Sequence, residues 1–256
     1  MNAQENILKE HEPLKLCFDL HCHSYFSHDG VANPIDMVRM AKKKGLHGFV
    51  ITDHDTSECA DFFLEHELMR EDGLPVDGFL IIPGQEISTS AGHLLAIGVS
   101  LPNMKGIAPD EAVKLVHAKG GLAIPAHPYD TFRSGICERW LDQLEVDGLE
   151  VFNAATVLKK YNRQAFDYAQ KRRLPMTAGS DAHHAAAIGC AYTILTPREL
   201  TRAAVIESIR APLGRHERYM TLRDQSIKTW HLVRKKLAQR RRAYNHDHLA
   251  KISLHR

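Results

Sequence analysis

The stretch Leu14-Lys15-Leu16-Cys17-Phe18-Asp19-Leu20-His21-Cys22-His23 joins a short, mostly apolar strand to two histidines that are separated by one residue. Side chains alternate across a strand, so His21 and His23 are expected on one side and Cys22 on the other. Two imidazoles on the same side can share a metal ion. The stretch therefore predicts a strand that ends in part of a metal site.

Short apolar runs alternate with helical patterns along the chain, and most runs have the uniform character of strands buried on both faces. The predicted strands are Leu14–Leu20, Gly48–Thr52, Phe79–Ile82, His93–Val99, Leu122–Pro125, Gly148–Phe152, Met176–Ala178 and Ala191–Leu195. The predicted helices are Pro34–Lys44, Ser57–Glu71, Pro109–Lys119, Leu158–Arg172 and one that opens at Thr196-Pro197, with Thr196 as its N-cap. This alternation predicts an α/β fold with a parallel sheet, open or closed into a barrel.

The interval between Ile82 and His93 breaks this alternation. It has no room for a helix, and residues 87–92 have the composition of a turn. The third and fourth strands are therefore expected to form a hairpin. That hairpin would place the start of the fourth strand beside the end of the third.

Length and composition indicate an ordinary globular protein. The chain has 256 residues, 44% of them apolar, and a net charge of +2, which says little about its partners. The N-terminus lacks the apolar core of a signal peptide, and no apolar run approaches the roughly 18 residues needed to cross a bilayer. The five cysteines are scattered and none forms a C-x-x-C pair, which predicts reduced thiols, a cytoplasmic protein and no thiolate zinc site.

Six histidines and three carboxylates lie where predicted strands end or begin. They are His21, His23, Asp29, His54, Glu86, His93, His127, Asp181 and His183. The C-terminal ends of barrel strands share one face, so these side chains are expected to converge. His93 opens its strand, but the hairpin would bring it beside Glu86. A lone buried histidine is usually a hydrogen-bonded core residue, and with 17 histidines chance placement competes with this interpretation.

The donor types indicate which chemistry the group could support. Imidazole and carboxylate ligands without thiolates suit zinc, manganese or iron, and carboxylates can bridge two ions. Nine ligands exceed the needs of one ion and fit two or three. Clustered divalent ions lower the pKa of bound water and clamp the oxygens of a phosphoryl group during in-line attack.

Seven motifs of this chain resemble those of the polymerase-and-histidinol-phosphatase (PHP) family. They occur in the family's order between about Leu14 and Leu195, and they read DLHCHS, SHDG, GLHGFVITDHDT, GQEIS, GHLLAIG, AHP and GSDAH. The resemblance implies a distorted seven-stranded (β/α) barrel with a trinuclear metal site. It assigns His21, His23, Glu86 and Asp181 to one ion, Glu86, His93 and His127 to a second, and Asp29, His54 and His183 to a third.

Further residues near the motifs are expected to support the site. The resemblance suggests Arg133 as a phosphate-binding residue, since a guanidinium fork suits phosphate oxygens. Asn153 ends the sixth strand and is expected to contact substrate. Asp19, Asp53 and Asp55 are expected to hydrogen-bond the metal-bound imidazoles, with helix capping or solvation as the alternative.

The resemblance implies a metal-dependent phosphoesterase in which a metal-bound hydroxide attacks phosphorus. The favoured substrate is a small phosphomonoester or nucleotide. A nuclease that trims DNA or RNA and a histidinol-phosphate phosphatase are alternatives, and a non-catalytic metal-binding module is the least favoured interpretation. The sequence leaves the substrate, the metal and the oligomeric state open.

The predicted domain lies between two flanking segments. Residues 1–13 are interpreted as an N-terminal extension, residues 14–214 as the phosphoesterase domain, and residues 215–256 as a basic, helical tail. The tail carries Arg234-Lys235-Lys236 and Arg240-Arg241-Arg242, which could attract nucleic acid or could simply form a solvated helix face.

Overall fold

The computed structural model describes residues 14–221 and Asp224 of the chain. Within these residues the strands are β1 (Leu16–Cys22), β2 (Gly48–Ile51), β3 (Leu80–Thr89), β4 (Gly92–Ile97), β5 (Leu122–Pro125), β6 (Leu149–Asn153), β7 (Met176–Gly179), β8 (Ala191–Leu195) and β9 (Gly214–Glu217). The α-helices are α1 (Pro34–Lys43), α2 (Glu58–Glu65), α3 (Pro109–Ala118), α4 (Glu138–Leu141), α5 (Lys160–Arg172) and α6 (Arg202–Ile209). All eight predicted strands are present, and β3 extends furthest beyond its predicted end.

Seven strands form one curled sheet in the order β5-β4-β3-β2-β1-β8-β9, and β6 pairs with β7 separately. The neighbours β1, β2 and β3 are parallel, as are β6 and β7. In contrast, β4 is antiparallel to β3 and β5, and β8 is antiparallel to β1 and β9. The expected parallel sheet is thus found only in part. The fold is a mixed α/β fold with a half-barrel sheet, consistent in this coarse form with the predicted distorted barrel.

The predicted hairpin is confirmed and fixes where His93 lies. Strands β3 and β4 pair in register, with Ser88 opposite His93 and Thr89 opposite Gly92. Glu86 and Ser88 point to the same face because side chains alternate along a strand. The His93 side chain therefore lies diagonally next to that of Glu86.

The β6–β7 pair meets the curled sheet at both of its sides. Beside β7, the Asp181 N–H donates to the carbonyl of His21 at 2.7 Å. Beside β6, the Asp147 N–H donates to the carbonyl of Ala123 at 3.0 Å. The strand ends that carry the predicted ligands consequently surround one common space.

Helices cover the strands with apolar side chains. In α1, Met37 and Ala41 are fully buried and belong to the same core cluster as Phe49 of β2. Burying a side chain of this size stabilises the fold by about 1.5–3 kcal/mol. The start of α1 is capped by Asn33, whose side chain accepts from the Ile35 N–H.

Two helix predictions are wrong in part. The second helix ends at Glu65 rather than Glu71, with the chain turning at Glu67 in the left-handed region (φ 54°). No helix opens at Thr196-Pro197. The helix α6 begins at Arg202 instead, and its N-cap is Thr201, whose side chain accepts from the Ala204 N–H.

The helical-tail prediction fails at its first residues. Residues 215–217 belong to β9, which pairs antiparallel with β8, and Met220 donates its N–H to Ala154. Apart from residues 218–221 and Asp224, the rest of the predicted tail and residues 1–13 lie outside the described residues.

All five cysteines are unpaired, as expected. The longest described helix, α5, has 13 residues, and no described helix is long and apolar enough to cross a membrane.

Candidate metal centre

Glu86 lies at the centre of a cluster of imidazoles. Its carboxylate is 1% exposed. The Oε1 atom lies 2.8 Å from His93 Nδ1 and 3.1 Å from His127 Nε2. The Oε2 atom lies 3.0 Å from His21 Nε2, 3.1 Å from His23 Nε2 and 3.4 Å from His54 Nδ1. One buried carboxylate therefore faces five imidazole rings.

The histidine pair at the end of β1 has the predicted orientation. His21 and His23 are fully buried, and their Nε2 atoms are 3.1 Å apart. Cys22 points to the other side, where its thiol contacts the carbonyl of Val50 at 3.2 Å. The thiol is therefore separate from the imidazoles, as alternation along the strand requires.

Asp29 lies next to a second group of imidazoles, those of His23, His54 and His183. Its Oδ2 lies 2.7 Å from His183 Nε2 and 3.7 Å from His54 Nε2. His23 stacks on both of these rings, with centroid separations of 4.4 Å to His183 and 4.7 Å to His54. Asp29 is also the most exposed of these four residues, at 24% of its side chain, so this part of the cluster borders solvent.

All nine predicted ligands come together. Their donor atoms fall into overlapping groups whose members lie within 4.8 Å of one another: His23 with Asp29, His54 and His183; His21 with His23 and Glu86; His21 with His127 and Asp181; and His54 with Glu86 and His93. These groups overlap and do not reproduce the family-based pairing of ligands to ions, which stays a prediction. We refer to the nine residues as the Glu86 cluster.

The donor set of the Glu86 cluster fits divalent metal ions. It consists of six imidazoles and three carboxylates, the ligands that zinc, manganese and iron accept. The Nε2 atoms of His21 and His23 lie 3.1 Å from each other, and they lie 3.0 and 3.1 Å from the same oxygen, Glu86 Oε2. His23 Nδ1 and His127 Nδ1 are buried without a hydrogen-bond partner among the described residues. Buried polar atoms are seldom left unpaired, so this concentration of donors needs an explanation.

Arg133 and Asn153 both lie beside the Glu86 cluster. The Arg133 guanidinium contacts Asp181 and donates to Asn153 Oδ1 at 3.0 Å, and 23% of its side chain is exposed. Asn153 is fully buried, and its amide nitrogen donates to Glu150 at 3.0 Å and to Asp181 at 2.9 Å. The Oδ1 atom of Asn153 also accepts from the Ala155 N–H at 3.0 Å, so four neighbouring residues hold this side chain. The expected substrate contact of Asn153 stays a prediction.

Glu150 is a residue of the site that the sequence analysis missed. Its Oε1 lies 2.9 Å from His21 Nδ1, and its Oε2 accepts the backbone N–H of His127 at 2.7 Å. The carboxylate thus orients one predicted ligand and fixes the backbone of another. The sequence does contain a sign of this role, since Glu150 is a charged residue within the apolar run Leu149-Glu150-Val151-Phe152. A carboxylate that is buried in such a strand requires polar partners.

The three aspartates expected to orient imidazoles have a different role. Asp19 accepts from the backbone N–H groups of Ser180 and Gly189, both at 2.8 Å. Asp53 accepts from the N–H and hydroxyl of Ser24, and Asp55 does the same for Ser88. These carboxylates tie together the loops that carry ligands, and none of their described hydrogen bonds goes to an imidazole.

Two predicted ligands have backbone conformations that L-residues rarely adopt. The φ angle is 31° at His127 and 53° at Asp181. Non-glycine residues in this region cost of the order of 1–3 kcal/mol and concentrate at functional sites. The fold maintains this strain where the two side chains enter the Glu86 cluster.

Burial and neighbouring charges act on the protonation of the Glu86 cluster in opposite directions. Burial would lower the pKa of His23, but hydrogen bonds with Asp181 and Glu86 outweigh it and raise the pKa to about 9. Burial dominates at His54 and lowers its pKa to about 3 despite the attraction of Glu86. Burial would raise the pKa of Glu86, but the surrounding imidazoles lower it well below its ordinary value. Because neutral imidazole is the form that binds metal, metal binding here would release protons.

An open cleft of about 440 Å³ leads to the Glu86 cluster. Its walls include Asp29, His54, Glu86, His93, His127 and Arg133, together with His28, Ser88, Lys105 and Ser134. Lys105 is an exposed cation at this cleft that no sequence motif indicated. The volume lies within the usual range of small-molecule sites.

Two family profiles match the chain and together cover most of the described residues. The one described as PHP domain matches residues 19–171, and the one described as PHP-associated matches residues 159–212. Asp181 and His183 lie in the second of these stretches.

Individual relatives have similar sequences or folds. The uncharacterized protein MJ1587 of Methanocaldococcus jannaschii is 34% identical, over 53% of this chain and 81% of that protein. A Bifidobacterium adolescentis protein to which metal-dependent phosphoesterase activity has been attributed has a TM-score of 0.54 and 21% identity, over 68% of this chain and 90% of that one. The lesion-specific endonuclease PfuEndoQ of Pyrococcus furiosus has a TM-score of 0.64 and 19% identity, over 79% of this chain and 57% of that one. Both structural similarities establish a shared fold.

Proposed function

Because the chain belongs to the PHP domain family, we propose that it is a metal-dependent phosphoesterase that hydrolyses phosphate esters. The observation that carries this proposal is the buried carboxylate of Glu86, which faces five imidazoles. Divalent ions bound there would activate water for attack on phosphorus and neutralise the phosphoryl oxygens. The nine residues of the Glu86 cluster would hold two or three such ions, with Glu86 shared between them.

Arg133 is proposed to hold the non-bridging phosphoryl oxygens. It lines the cleft, and its guanidinium is fixed from one side by Asp181 and Asn153. A fixed, planar guanidinium is well suited to phosphate because its N–H groups match the oxygens. Asn153 then acts as a positioning residue, since its buried amide holds Arg133 and Asp181 in place.

The favoured substrate class is a small phosphomonoester or nucleotide. The cleft has room for a ligand of this size. Histidinol phosphate is one candidate within this class and belongs in any substrate panel.

A nuclease is the second candidate function, and the fold shared with a lesion-specific endonuclease supports it. The proposed role of the basic residues near the C-terminus in holding a nucleic acid can be tested by truncation. The cut belongs after Asp224, because a cut after Leu213 would also remove β9 and its pairing with β8. Loss of polynucleotide cleavage with retained turnover of small substrates would support the nuclease.

The experiment that tests the proposed function is a hydrolysis screen of the full chain loaded with zinc, manganese or iron. The panel comprises nucleotides, sugar phosphates, histidinol phosphate and short DNA and RNA, with the metal content measured in parallel. We expect hydrolysis of at least one phosphate ester by the wild type, and loss of activity and of bound metal in His127→Ala. A fully metal-loaded wild type that hydrolyses nothing would contradict the proposal, as would a His127→Ala variant with unchanged activity and metal.

A further inference from the structure

A second cavity, of about 350 Å³, lies outside the cleft at the Glu86 cluster and shares none of its lining residues. It is formed where the start of α5 meets β6, β9 and the residues that follow β9. Its walls include three cations and two aromatic rings that carry the argument below: Lys159, Arg163, Arg215, Phe166 and Tyr219. We call it the α5 pocket. Its volume is at the lower end of the range for small-molecule sites.

Strand β9 contributes Arg215 and Glu217 to the α5 pocket. Side chains alternate along a strand, so these two residues share one side. His216 lies on the other side and stacks on Tyr192, with the ring centroids 4.7 Å apart. Only 18% of the Arg215 side chain is exposed, and its Nε lies 3.0 Å from Glu217 Oε1. Arg215 is therefore a positioned, largely buried cation.

The aromatic rings of the α5 pocket gather its cations. The guanidinium carbons of Arg163 and Arg215 lie 5.6 and 5.7 Å from the centroid of the same ring, that of Phe166. Lys159 Nζ lies 5.0 Å from the centroid of Tyr219. Such contacts, within about 6 Å of a ring, attract each cation to its ring. The rings thereby hold like charges close together, which is unfavourable unless an anion lies between them.

The carboxylates around the α5 pocket do not balance these cations. Glu217 is the single carboxylate among the described residues that line it, and it faces three cations. Asp167 lies 3.0 Å from Arg163, but the two side chains are 52% and 74% exposed. An exposed ion pair of this kind contributes little. The pocket therefore has an excess of positive charge.

The start of α5 has the charge pattern opposite to the one that stabilises a helix. Acidic residues are favourable in the first turn and cations in the last, because of the helix dipole. The first turn of α5 has no acidic residue, and its N-cap residue, Lys159, makes no side-chain capping bond. Lys160 and Arg163 add further cations there. An anion bound in the α5 pocket would relieve this repulsion and be attracted by the helix N-terminus.

Asn162 gives the α5 pocket a fixed wall. Its side chain is buried, and its Nδ2 donates to the carbonyl of Asn153 at 3.0 Å and to the hydroxyl of Tyr219 at 3.2 Å. Its Oδ1 accepts the Asn153 N–H at 3.2 Å. These bonds join α5, the end of β6 and the residues after β9. The pocket is consequently formed without a ligand, as most small-molecule sites are.

We propose that the α5 pocket binds a small organic molecule with two or more anionic groups, at a site separate from the substrate cleft. The groups are phosphates or carboxylates, whose oxygens match the guanidinium forks of Arg163 and Arg215. Lys159 supplies a further positive charge. The limited volume favours a small molecule over a nucleic acid strand, which needs a groove that follows its backbone. The proposal does not depend on the proposed function.

The test is calorimetric titration of the metal-loaded full chain with benzene-1,3-disulfonate and benzene-1,3-dicarboxylate. The sulfonates represent phosphate and the second compound represents carboxylate, so the two titrations distinguish these groups. We expect one equivalent of at least one dianion to bind, and binding to weaken as the salt concentration rises. The uncharged benzene-1,3-dicarboxamide should not bind.

Substitutions in the α5 pocket should change this affinity in both directions. Arg163→Gln and Arg215→Gln should each weaken dianion binding roughly ten-fold, because each removes a charged hydrogen-bond donor. Glu217→Gln should tighten it, since it removes the competing carboxylate beside Arg215. A purely structural role of these residues would not produce that gain. Lys171→Gln, at an exposed residue in the last turn of α5, is the control and should have no effect.

Three results would overturn the proposal. One is that neither dianion binds, or that the dicarboxamide binds equally well. Another is binding that is unchanged in Arg163→Gln and Arg215→Gln but lost in Arg133→Ala, which would place the ligand in the substrate cleft. The third is a single-stranded oligonucleotide that binds through Arg163 and Arg215 when the dianions do not. Failure to hydrolyse any phosphate ester would contradict the proposed function and leave this binding result unaffected.

Discussion

Glu86 occupies an environment that a lone carboxylate would not tolerate. Its side chain is buried, and each of its two carboxylate oxygens has imidazole nitrogens within 3.4 Å. A buried charge is costly unless it is paired or coordinates a metal. Protonated imidazoles could pair with it, but five of them would repel one another. Divalent ions shared between neutral imidazoles and the carboxylate would satisfy the whole group.

Replacing Glu150 by glutamine tests how the ligands are oriented. The substitution keeps the volume but removes the negative charge beside His21 Nδ1. Residues that orient metal ligands typically contribute 10- to 100-fold to metal affinity or activity. We therefore expect Glu150→Gln to weaken metal binding by about that factor while the fold stays intact, as measured by metal titration and circular dichroism. Glu138→Gln is the control, because Glu138 is exposed; equal affinities in both variants would contradict the assigned role.

Replacing Arg133 by lysine tests the proposed phosphate contact. Lysine keeps the charge but cannot bind Asp181, Asn153 and phosphate oxygens through one planar group. Hydrogen bonds to charged groups contribute about 1.5–3 kcal/mol each, so kcat/KM for a phosphate ester should fall roughly ten- to a hundred-fold. The measurement is steady-state kinetics with metal content checked. The exposed Arg139→Lys should have no effect, and an unchanged Arg133→Lys enzyme would exclude the contact.

At the residue scale, the sequence predicted which side chains meet but not how each is supported. The nine residues of the Glu86 cluster were recognisable because imidazoles and carboxylates stand at strand ends, where topology alone brings them together. Glu150 was missed because alternation along a strand does not reveal which charged residue points inward. The roles of Asp19 and Asp53 depend on loop backbones that sequence spacing does not position.

At the element scale, the approach of β7 to β1 closes the space around the Glu86 cluster. A Cβ atom at Gly179 would lie 2.4 Å from His21 Cβ, closer than real atoms come. Gly179→Ala should therefore force the strands apart, with a loss of about 1–3 kcal/mol in the free energy of unfolding. Urea unfolding measures the loss, and weaker metal binding should accompany it.

Gly214→Ala is the matched control for this prediction. A Cβ at Gly214 would meet nothing nearer than Ile194 Cδ1 at 4.0 Å, so the substitution should be close to neutral. Equal stability of the two variants would show that β7 does not need the glycine.

Strand directions were the part of the fold that the sequence predicted least well. The hairpin was predictable because the interval between β3 and β4 is too short for a helix. The direction of β8 was predictable for the same reason. Only residues 180–190 separate β8 from β7, and a crossover to a parallel strand needs a dozen residues or more. The start of α6 was misplaced because Thr196 and Thr201 are equivalent as N-caps in sequence, and packing of the chain decides between them.

At the scale of the whole molecule, the metal ions are expected to contribute to the stability of the fold. The Glu86 cluster draws its residues from loops and strands between residues 21 and 183, so ions bound there would link distant parts of the chain. Ligands that bind only the folded state stabilise it by about 4 kcal/mol at a thousand-fold excess over Kd. Removal of metal by a chelator should lower the melting temperature, and addition of zinc or manganese should restore it. A protein stripped of metal that melts at the same temperature would contradict this expectation.

The number of metal ions bound per chain decides whether the Glu86 cluster is a multinuclear metal centre. The measurement is elemental analysis of the wild type and Glu86→Gln after incubation with zinc, manganese or iron and removal of unbound ions. We expect two or three equivalents in the wild type and the loss of at least one in Glu86→Gln, because the Glu86 carboxylate belongs to two of the overlapping groups of ligands. One equivalent or less in the wild type with every metal, or equal content in both proteins, would contradict it.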